Sequence, residues 1–270
     1  MLKAETRRQS ALTRLFNPKY IMVFATLGVF LVIYLFGALM YGDKGFTTLR
    51  TLTLMFSDNA YVGVSAVGMT MVLITGGIDL SVAAVASLTG MFIAYGVSVL
   101  GLDPWVCILF ALAVGTALGL VMGAAIHFLN VPPFITTLTG MFLARGVCAL
   151  ISRESISIDN PTIDYLAGLK WYIMRLQDGE WVKFKPVAYI NLSVLIFIAM
   201  IIVGTIILQK TRIGRNIYAI GGNEQSARLM GLPVGKTKIF VYAFNGFCSA
   251  LAGVVYVLYV KSGWNLALSG

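Results

Sequence analysis

Charged residues are scarce in this chain of 270 residues: 11% are Asp, Glu, Lys or Arg, whereas 59% are hydrophobic. A soluble globule of this length needs more polar surface than this composition supplies. The apolar stretches are long and uniform, and they lack the period-two alternation of outer-membrane barrel strands. The scarcity of charge therefore excludes a soluble domain and predicts an all-α, polytopic transmembrane helix bundle.

Histidine and cysteine are also rare, with one and three copies. His127 precedes a Pro-Pro turn, which suits a solvated or capping side chain better than a proton relay. Because no chain of intramembrane acids accompanies it, the sequence disfavours a proton-driven pump. The cysteines have the spacing of buried small side chains and indicate neither a metal site nor a disulfide framework. They are Cys107, Cys148 and Cys248.

Motifs for catalysis and nucleotide binding are missing as well. The sequence has no Gly-x-x-x-x-Gly-Lys-Ser/Thr, no nucleophile paired with a base and no cluster of metal ligands. We therefore predict no catalytic residue, no metal and no bound cofactor, so this chain is not an enzyme and another chain supplies any ATP-driven work. The net charge of +9 comes without a basic stripe interleaved with aromatics, so it indicates membrane topology and not nucleic-acid binding.

The apolar stretches predict about seven spans in a single domain, 1–270, since a span needs about 20 residues. They cover residues 20–41, 54–75, 82–100, 105–129, 134–151, 189–208 and 239–260. The first span is too long for a signal peptide and no cleavage site follows it, so we expect it to be retained. Glycines at i, i+4 and i+8 on the fourth span predict close helix packing; they are Gly115, Gly119 and Gly123.

Lysine and arginine are unevenly distributed, and short loops rich in them stay in the cytoplasm. Five precede the first span, in residues 1–19, and six flank or fill the loop 209–238. The loop 152–188 carries five basic and five acidic residues, so it is neutral. We predict that 1–19 and 209–238 are cytoplasmic and that 152–188 lies outside.

A carboxylate and two glycines stand between the second and third spans. In the run GGIDLS, Gly76 and Gly77 allow a tight turn, and Ser81 or Asp79 caps the helix that follows. A charge at membrane depth costs about 2.5 to 3.5 kcal/mol. Asp79 is therefore expected at a membrane boundary, in a helix break or against a partner. Two roles are open: it caps the helix at the cytoplasmic face, or it takes part directly in substrate contact or in gating the path.

The loop between the sixth and seventh spans predicts a short amphipathic helix. Asn223 caps it, Glu224 lies in its first turn, and 231–233 end it. Ala227, Leu229 and Met230 supply an apolar side. One such turn cannot bury an apolar side alone, so it docks on a partner protein or lies against its own bundle.

Few polar residues lie within the predicted spans. Asp58 and Asn59 are near the start of the second span, and Arg145 lies deep in the fifth. Arg145 either snorkels to an interface, pairs with a carboxylate such as that of Asp58, or lines a pathway.

Five motifs occur in order along nearly the whole chain. They are VGMT (67–70), GGIDLS (76–81), VPPFITTL (131–138), TRIGRNIYAIGGN (211–223) and ARLMG (227–231). With these motifs the chain resembles the permease subunits of ATP-binding-cassette sugar importers of the ribose, xylose and galactofuranose type. Residues 145–147 and 152–161 most resemble the galactofuranose permeases.

The resemblance implies a set of partners and a mechanism. A separate ATPase subunit would bind a coupling helix at Glu224, Ala227, Arg228, Leu229 and Gly231. A periplasmic sugar-binding protein would deliver a monosaccharide to 152–188 in the bacterial inner membrane, with a second copy or a related permease completing the path. Such permeases continue beyond the position matched by Gly270, so the chain is expected to be truncated. The alternatives are an ion-gradient-driven transporter or channel, and a non-transporting scaffold.

Overall fold

Helices follow the apolar stretches of the sequence. The structure, a computed structural model, describes residues 18–177, 180–183 and 187–263. Five helices in these ranges are long and apolar enough to cross a membrane, and two shorter apolar helices, Ala60–Ile74 and Val82–Ser98, accompany them. These seven helices correspond to the seven predicted spans and confirm the all-α membrane bundle.

Eleven α-helices are present among the described residues. They are α1 (Pro18–Tyr41), α2 (Leu49–Asp58), α3 (Ala60–Ile74), α4 (Val82–Ser98), α5 (Pro104–Phe128), α6 (Pro133–Ile151), α7 (Pro161–Gly168), α8 (Leu192–Lys210), α9 (Arg212–Gly222), α10 (Glu224–Leu229) and α11 (Val234–Val260). A 3-10 turn, Gly42–Lys44, follows α1.

Among the described residues, six short strands form three two-stranded antiparallel sheets. They are β1 (Ile156–Ser157), β2 (Lys170–Tyr172), β3 (Met174–Gln177), β4 (Glu180–Lys183), β5 (Tyr189–Asn191) and β6 (Ser262–Gly263). The pairs are β1 with β6, β2 with β5, and β3 with β4. The predicted loop 152–188 therefore contains local structure.

The chain divides at Leu52 into two compact units, Met1–Leu52 and Thr53–Gly270. In the first unit, the ring of Phe46 lies 5.6 Å from that of Tyr34 and packs on Gly37. Helices α3 to α11 belong to the second unit.

The predicted spans 54–75, 189–208 and 239–260 differ from the helices that form there. Helix α8 begins at Leu192, after strand β5, and not at 189. The predicted span 54–75 is broken at Asn59. The side chain of Asn59 donates to the Met55 carbonyl oxygen at 2.9 Å, and such side-chain bonds compete with the backbone hydrogen bonds of a helix. Helix α11 begins at Val234 and not at 239. The prediction followed the apolar stretch alone, whereas the first turns of the helix, which contain Lys236 and Lys238, precede that stretch.

Helix α11 is the centre of the second unit and packs against α3, α4 and α5. The glycine stripe of α5 lies directly on it: a Cβ on Gly119 would strike the carbonyl oxygen of Tyr242, and one on Gly115 would lie 2.5 Å from the Cβ of Ala250. This contact confirms the predicted packing role of the stripe. The three cysteines are buried and free.

Helices α3 and α4 run in opposite directions beside α11. The ring of Tyr61, near the start of α3, lies 5.3 Å from that of Tyr256, near the end of α11. Further along α3, Gly68 contacts Asn245. Helix α4 then returns towards the Val260 end, where Gly90 faces Val257. The chain therefore reverses beside the middle of α11.

The Val260 end of α11 is covered by residues of the segment 156–164. The N–H of Ile158 donates to the Lys261 carbonyl oxygen at 2.9 Å, next to the β1–β6 pair. The ammonium of Lys261 pairs with Asp164 of α7, and Ile163 is buried against the last turns of α11. This end of the helix is thus fixed by backbone bonds, an ion pair and apolar packing.

Candidate functional site

The reversal between α3 and α4, residues 75–81, has a backbone that depends on its glycines. Gly76 has φ of +74°, a conformation that costs other residues free energy. A Cβ on Gly77 would lie 2.6 Å from the hydroxyl oxygen of Tyr242. The first glycine permits the turn and the second lets the chain approach α11 closely.

Asp79 is the hydrogen-bonded centre of this reversal. Its Oδ1 accepts from the Ser81 N–H at 2.8 Å and from the Ser81 hydroxyl at 2.6 Å. Its Oδ2 accepts from Nδ2 of Asn245 at 2.8 Å. The carboxylate thus fixes the entry to α4 and also binds this entry to α11.

The cluster around Asp79 is almost fully enclosed. Asp79 is 5% exposed and Asn245 is 0% exposed. The Tyr242 hydroxyl donates to the Ile78 carbonyl oxygen at 3.3 Å. Among the described residues, Oδ1 of Asn245 has no hydrogen-bond partner. These contacts join 75–81 to α11 through two side chains one helical turn apart.

The position of Asp79 along α11 is given by its partner Asn245. Asn245 follows Lys238 by seven residues, which is about 10 Å along a helix. Asp79 therefore lies beside the apolar part of α11, in a helix break and against a partner. Ser81 occupies the N-cap position of α4 without a side-chain capping bond, because its hydroxyl donates to Asp79.

The segment 211–231 forms two consecutive helices, α9 and α10. Oγ1 of Thr211 accepts from the Gly214 N–H at 3.1 Å and caps α9. Ile217 and Ile220 are buried on the inner face of α9. Its last turn meets the reversal, since a Cβ on Gly221 would strike the carbonyl oxygen of Ile74 at the end of α3.

Helix α10 is capped as the sequence predicts: Oδ1 of Asn223 accepts from the Ser226 N–H at 2.7 Å. The predicted apolar side of this helix is wrong, however. Ala227 is 0% exposed and packs with Ile220 and Val234, whereas Leu229 is 83% exposed. Ala227 is therefore a packing residue within the segment and is unable to contact a partner.

Glu224 fixes α10 to the start of α11. Its carboxylate accepts from Nη2 of Arg228 at 2.9 Å and from Nζ of Lys238 at 2.7 Å. The hydrogen bond from Lys238 lowers the pKa of Glu224 below its ordinary value. Partial burial opposes this shift, and the charges of Lys238 and Arg228 add to it. Glu224 is thus ionised at neutral pH and holds two cations.

An exposed surface remains at the end of α10, formed by Arg228, Leu229, Met230 and Gly231. We call it the α10 tip. Gly231 has φ of +75° and ends the segment. Two large apolar side chains exposed beside an arginine are the composition of a protein-binding surface.

The remaining predicted residues lie apart from these two sites. Asp58 and Asn59 are exposed at the break between α2 and α3, and Asp58 lies beside the hydroxyl of Tyr259. Arg145 is partly exposed on α6. No salt bridge joins Arg145 to Asp58 in the part of the chain that the structure describes, so the roles left open for Arg145 are snorkelling to an interface and lining a pathway.

The described residues contain no group of side chains with the composition of a metal site. Within residues 18–177, 180–183 and 187–263, no three His, Cys, Asp or Glu side chains come together in a group that could hold a metal ion. His127 instead packs on Gly235 in the first turn of α11.

Sequence reasoning missed Lys238, Tyr242 and Gly221. A signal for the first two exists: Lys238, Tyr242, Asn245 and Ser249 are spaced by four, three and four residues, which places them on one face of α11. A polar stripe on an otherwise apolar span indicates a buried polar contact. No such pattern identifies Gly221, because its role depends on the carbonyl of a distant helix.

Residues 51–268 match the family model for the branched-chain amino acid transport system / permease component. The chain is 38% identical over 242 residues to the inner membrane ABC transporter permease protein YjfF of Escherichia coli (strain K12), covering 90% of this chain and 69% of that protein. No solved structure matches the chain.

Two further relatives carry substrate names. The fructose import permease protein FruG of Bifidobacterium longum (strain NCC 2705) is 32% identical over 250 residues, with coverage of 92% of this chain and 71% of that protein. The ribose import permease protein RbsC of Escherichia coli (strain K12) is 33% identical over 230 residues, with coverage of 84% and 67%. The chain thus spans only part of each relative.

Proposed function

Because the chain belongs to the family of branched-chain amino acid transport system / permease components, we propose that it is the membrane-spanning permease of an ATP-driven sugar importer. The membership confirms the resemblance predicted from the five sequence motifs. Relatives named for fructose and ribose import support a monosaccharide as the cargo. The finer proposal, galactofuranose, rests on residues 145–147 and 152–161 alone.

The α10 tip is the observation that carries this proposal. It stands on a helix held rigidly by the Asn223 cap, by Glu224 and by the burial of Ala227. A rigid exposed surface of Arg228, Leu229 and Met230 binds a partner without a large ordering cost. We assign it to the separate ATPase subunit, which binds and hydrolyses the ATP.

The orientation of the chain follows from its charges. Multi-pass insertion in the inner membrane is supported by the relatives and the apolar helices. We propose that 1–19 and 209–238 face the cytoplasm, where the ATPase works, and that 152–188 faces the periplasm. The segment 156–164, which covers the Val260 end, would then receive the periplasmic sugar-binding protein.

The path itself is proposed to run between this chain and a second copy or a related permease. ATP binding by the partner would favour one access state and hydrolysis would reset it, as a population shift. Asp58, Asn59 and Arg145 are candidates for lining the path, because exposed polar side chains in a span commonly face a water-filled passage.

Detergent co-purification with the candidate ATPase subunit tests the proposal. We expect Leu229→Glu to abolish binding, since it places a carboxylate in the centre of the α10 tip, and Arg228→Glu and Gly231→Trp to weaken it. Tyr165→Glu is the matched control, because Tyr165, like Met230 of the tip, is 68% exposed but lies on α7 at the opposite end. Binding that survives all changes at the tip would reject this assignment, and absence of ATPase binding by the unmodified chain would favour a gradient-driven transporter.

A further inference from the structure

The reversal 75–81 has a buried polar side and an exposed apolar side. Asp79 and Ser81 are buried, whereas Ile78 and Leu80, which alternate with them, are 46% and 39% exposed. Side chains alternate in this way along extended backbone. Any movement of Asp79 therefore moves both apolar side chains.

The position of Asp79 against α11 depends on one amide. Nδ2 of Asn245 donates to Asp79, while Oδ1 of the same side chain is buried without a partner among the described residues. A buried polar network that is not fully satisfied is less stable than a saturated one. The amide of Asn245 thus holds Asp79 against α11 through one hydrogen bond to a carboxylate.

The segment that bears the α10 tip is in direct contact with this reversal. Gly221, at the end of α9, lies against the carbonyl oxygen of Ile74, which is the last residue of α3. Ile217 of α9 is buried in the same cluster as Met71, Val72 and Tyr242. A displacement of α9 is therefore transmitted to the last turn of α3, because the contact is between backbone atoms, which deform less than side chains.

We propose that residues 75–81 form the ATPase-side gate of the sugar path. Ile78 and Leu80 close the path as an apolar constriction, which excludes water and polar solutes. Asn245 is the positioning residue that holds the gate shut through Asp79, and Gly221 transmits movement of α9 to it. The inference rests on the proposed importer function, because it requires a path and a partner that moves the tip.

Thiol labelling of Ile78→Cys in the assembled importer tests the gate. The three native cysteines are replaced by alanine, and a membrane-impermeant maleimide is added from the ATPase side without ATP. Asn245→Ala should raise the labelling rate about tenfold, the usual scale for losing a hydrogen bond to a charged group. Ser249→Ala is the control, because its hydroxyl donates only to the Asn245 carbonyl oxygen at 2.8 Å and its loss leaves Asp79 bound.

Two further variants keep the test decisive. Asn245→Leu, which keeps the side-chain volume but has no N–H to donate to Asp79, should raise labelling in the same way and replaces Asn245→Ala if that variant fails to assemble. Gly221→Ala should leave ATPase binding intact and change the labelling rate, because its Cβ displaces the end of α3. Unchanged labelling in Asn245→Ala and Asn245→Leu, in complexes that still bind the ATPase, would overturn the gate and leave the importer standing. Loss of ATPase binding by the unmodified chain would instead remove the importer itself.

Discussion

Lys238 donates a hydrogen bond to Glu224 at 2.7 Å across fourteen residues of sequence, and it thereby joins α10 to the first turns of α11. Four and seven residues further along α11, Tyr242 and Asn245 bind the reversal 75–81. The α10 tip and the reversal are thus attached to one face of a single helix. A rigid helix with both attachments can transmit motion between them.

The first prediction concerns the attachment of α10. Lys238→Met removes the cation that binds Glu224 but keeps a long apolar stem. We expect the ATPase to bind with near-normal affinity, because Lys238 lies behind the tip, while sugar uptake per ATP hydrolysed falls. Lys236→Met is the control, since the described residues show no ion pair for Lys236. Equal coupling in the two variants would contradict the role of Lys238.

The second prediction concerns pH. Because the pKa of Glu224 is lowered from 4.5 in the folded chain, its contribution to stability is fully present above 4.5 and is lost as pH falls through the folded-state pKa. Protection of the α10 amides from hydrogen exchange, corrected for intrinsic rates, should be constant between about pH 5 and 7 and fall in more acid solution. In Glu224→Gln the acid loss should disappear, and an acid loss of the same size would count against this ion pair.

The third prediction separates backbone strain from packing at the reversal. Gly76→Ala should lower the free energy of unfolding by about 1 to 2 kcal/mol, because the left-handed conformation disfavours a Cβ. No atom lies within 4 Å of that Cβ position, so packing adds nothing. Gly222→Ala, equally uncrowded but without positive φ, should be neutral or slightly stabilising. Thermal unfolding in detergent compares the two, and equal effects would refute the strain argument.

The fourth prediction tests the contact between α5 and α11. Gly119→Ala inserts a methyl group against the Tyr242 carbonyl and should destabilise the fold by about 1 to 3 kcal/mol. Gly146→Ala on α6 meets no atom within 4 Å and should not destabilise it. The yield of monodisperse protein after heating measures both. A stable Gly119→Ala chain would show that the helices separate without cost.

The fifth prediction concerns the charge of Asp79. Asp79→Asn retains an oxygen that accepts from Ser81, so the entry to α4 should persist and the chain should assemble. Uptake should be reduced but measurable. Complete loss of uptake with intact assembly would show that the negative charge acts in transport and not in holding the backbone.

The sequence predicts the spans, the break at 75–81 and the cap at Asn223, because each depends on local composition or on a few adjacent residues. It does not predict that Ala227 is buried while Leu229 is exposed. Which side of so short a helix faces the protein depends on the positions of α9 and α11, and the local sequence does not give them. The partner of Asp79 is likewise invisible locally: Asn245 is 166 residues away. For Arg145 the sequence leaves three roles open, and no salt bridge joins it to Asp58 among the described residues.

The energy source of uptake is the most direct test of the central claim. The chain, its ATPase and its sugar-binding protein are reconstituted in proteoliposomes, and labelled galactofuranose, ribose and fructose are offered in turn. The account predicts uptake of one or more of these sugars only with ATP, insensitive to ionophores and lost in Leu229→Glu. Uptake that follows an ion gradient without ATP, or that survives removal of the ATPase, would contradict it.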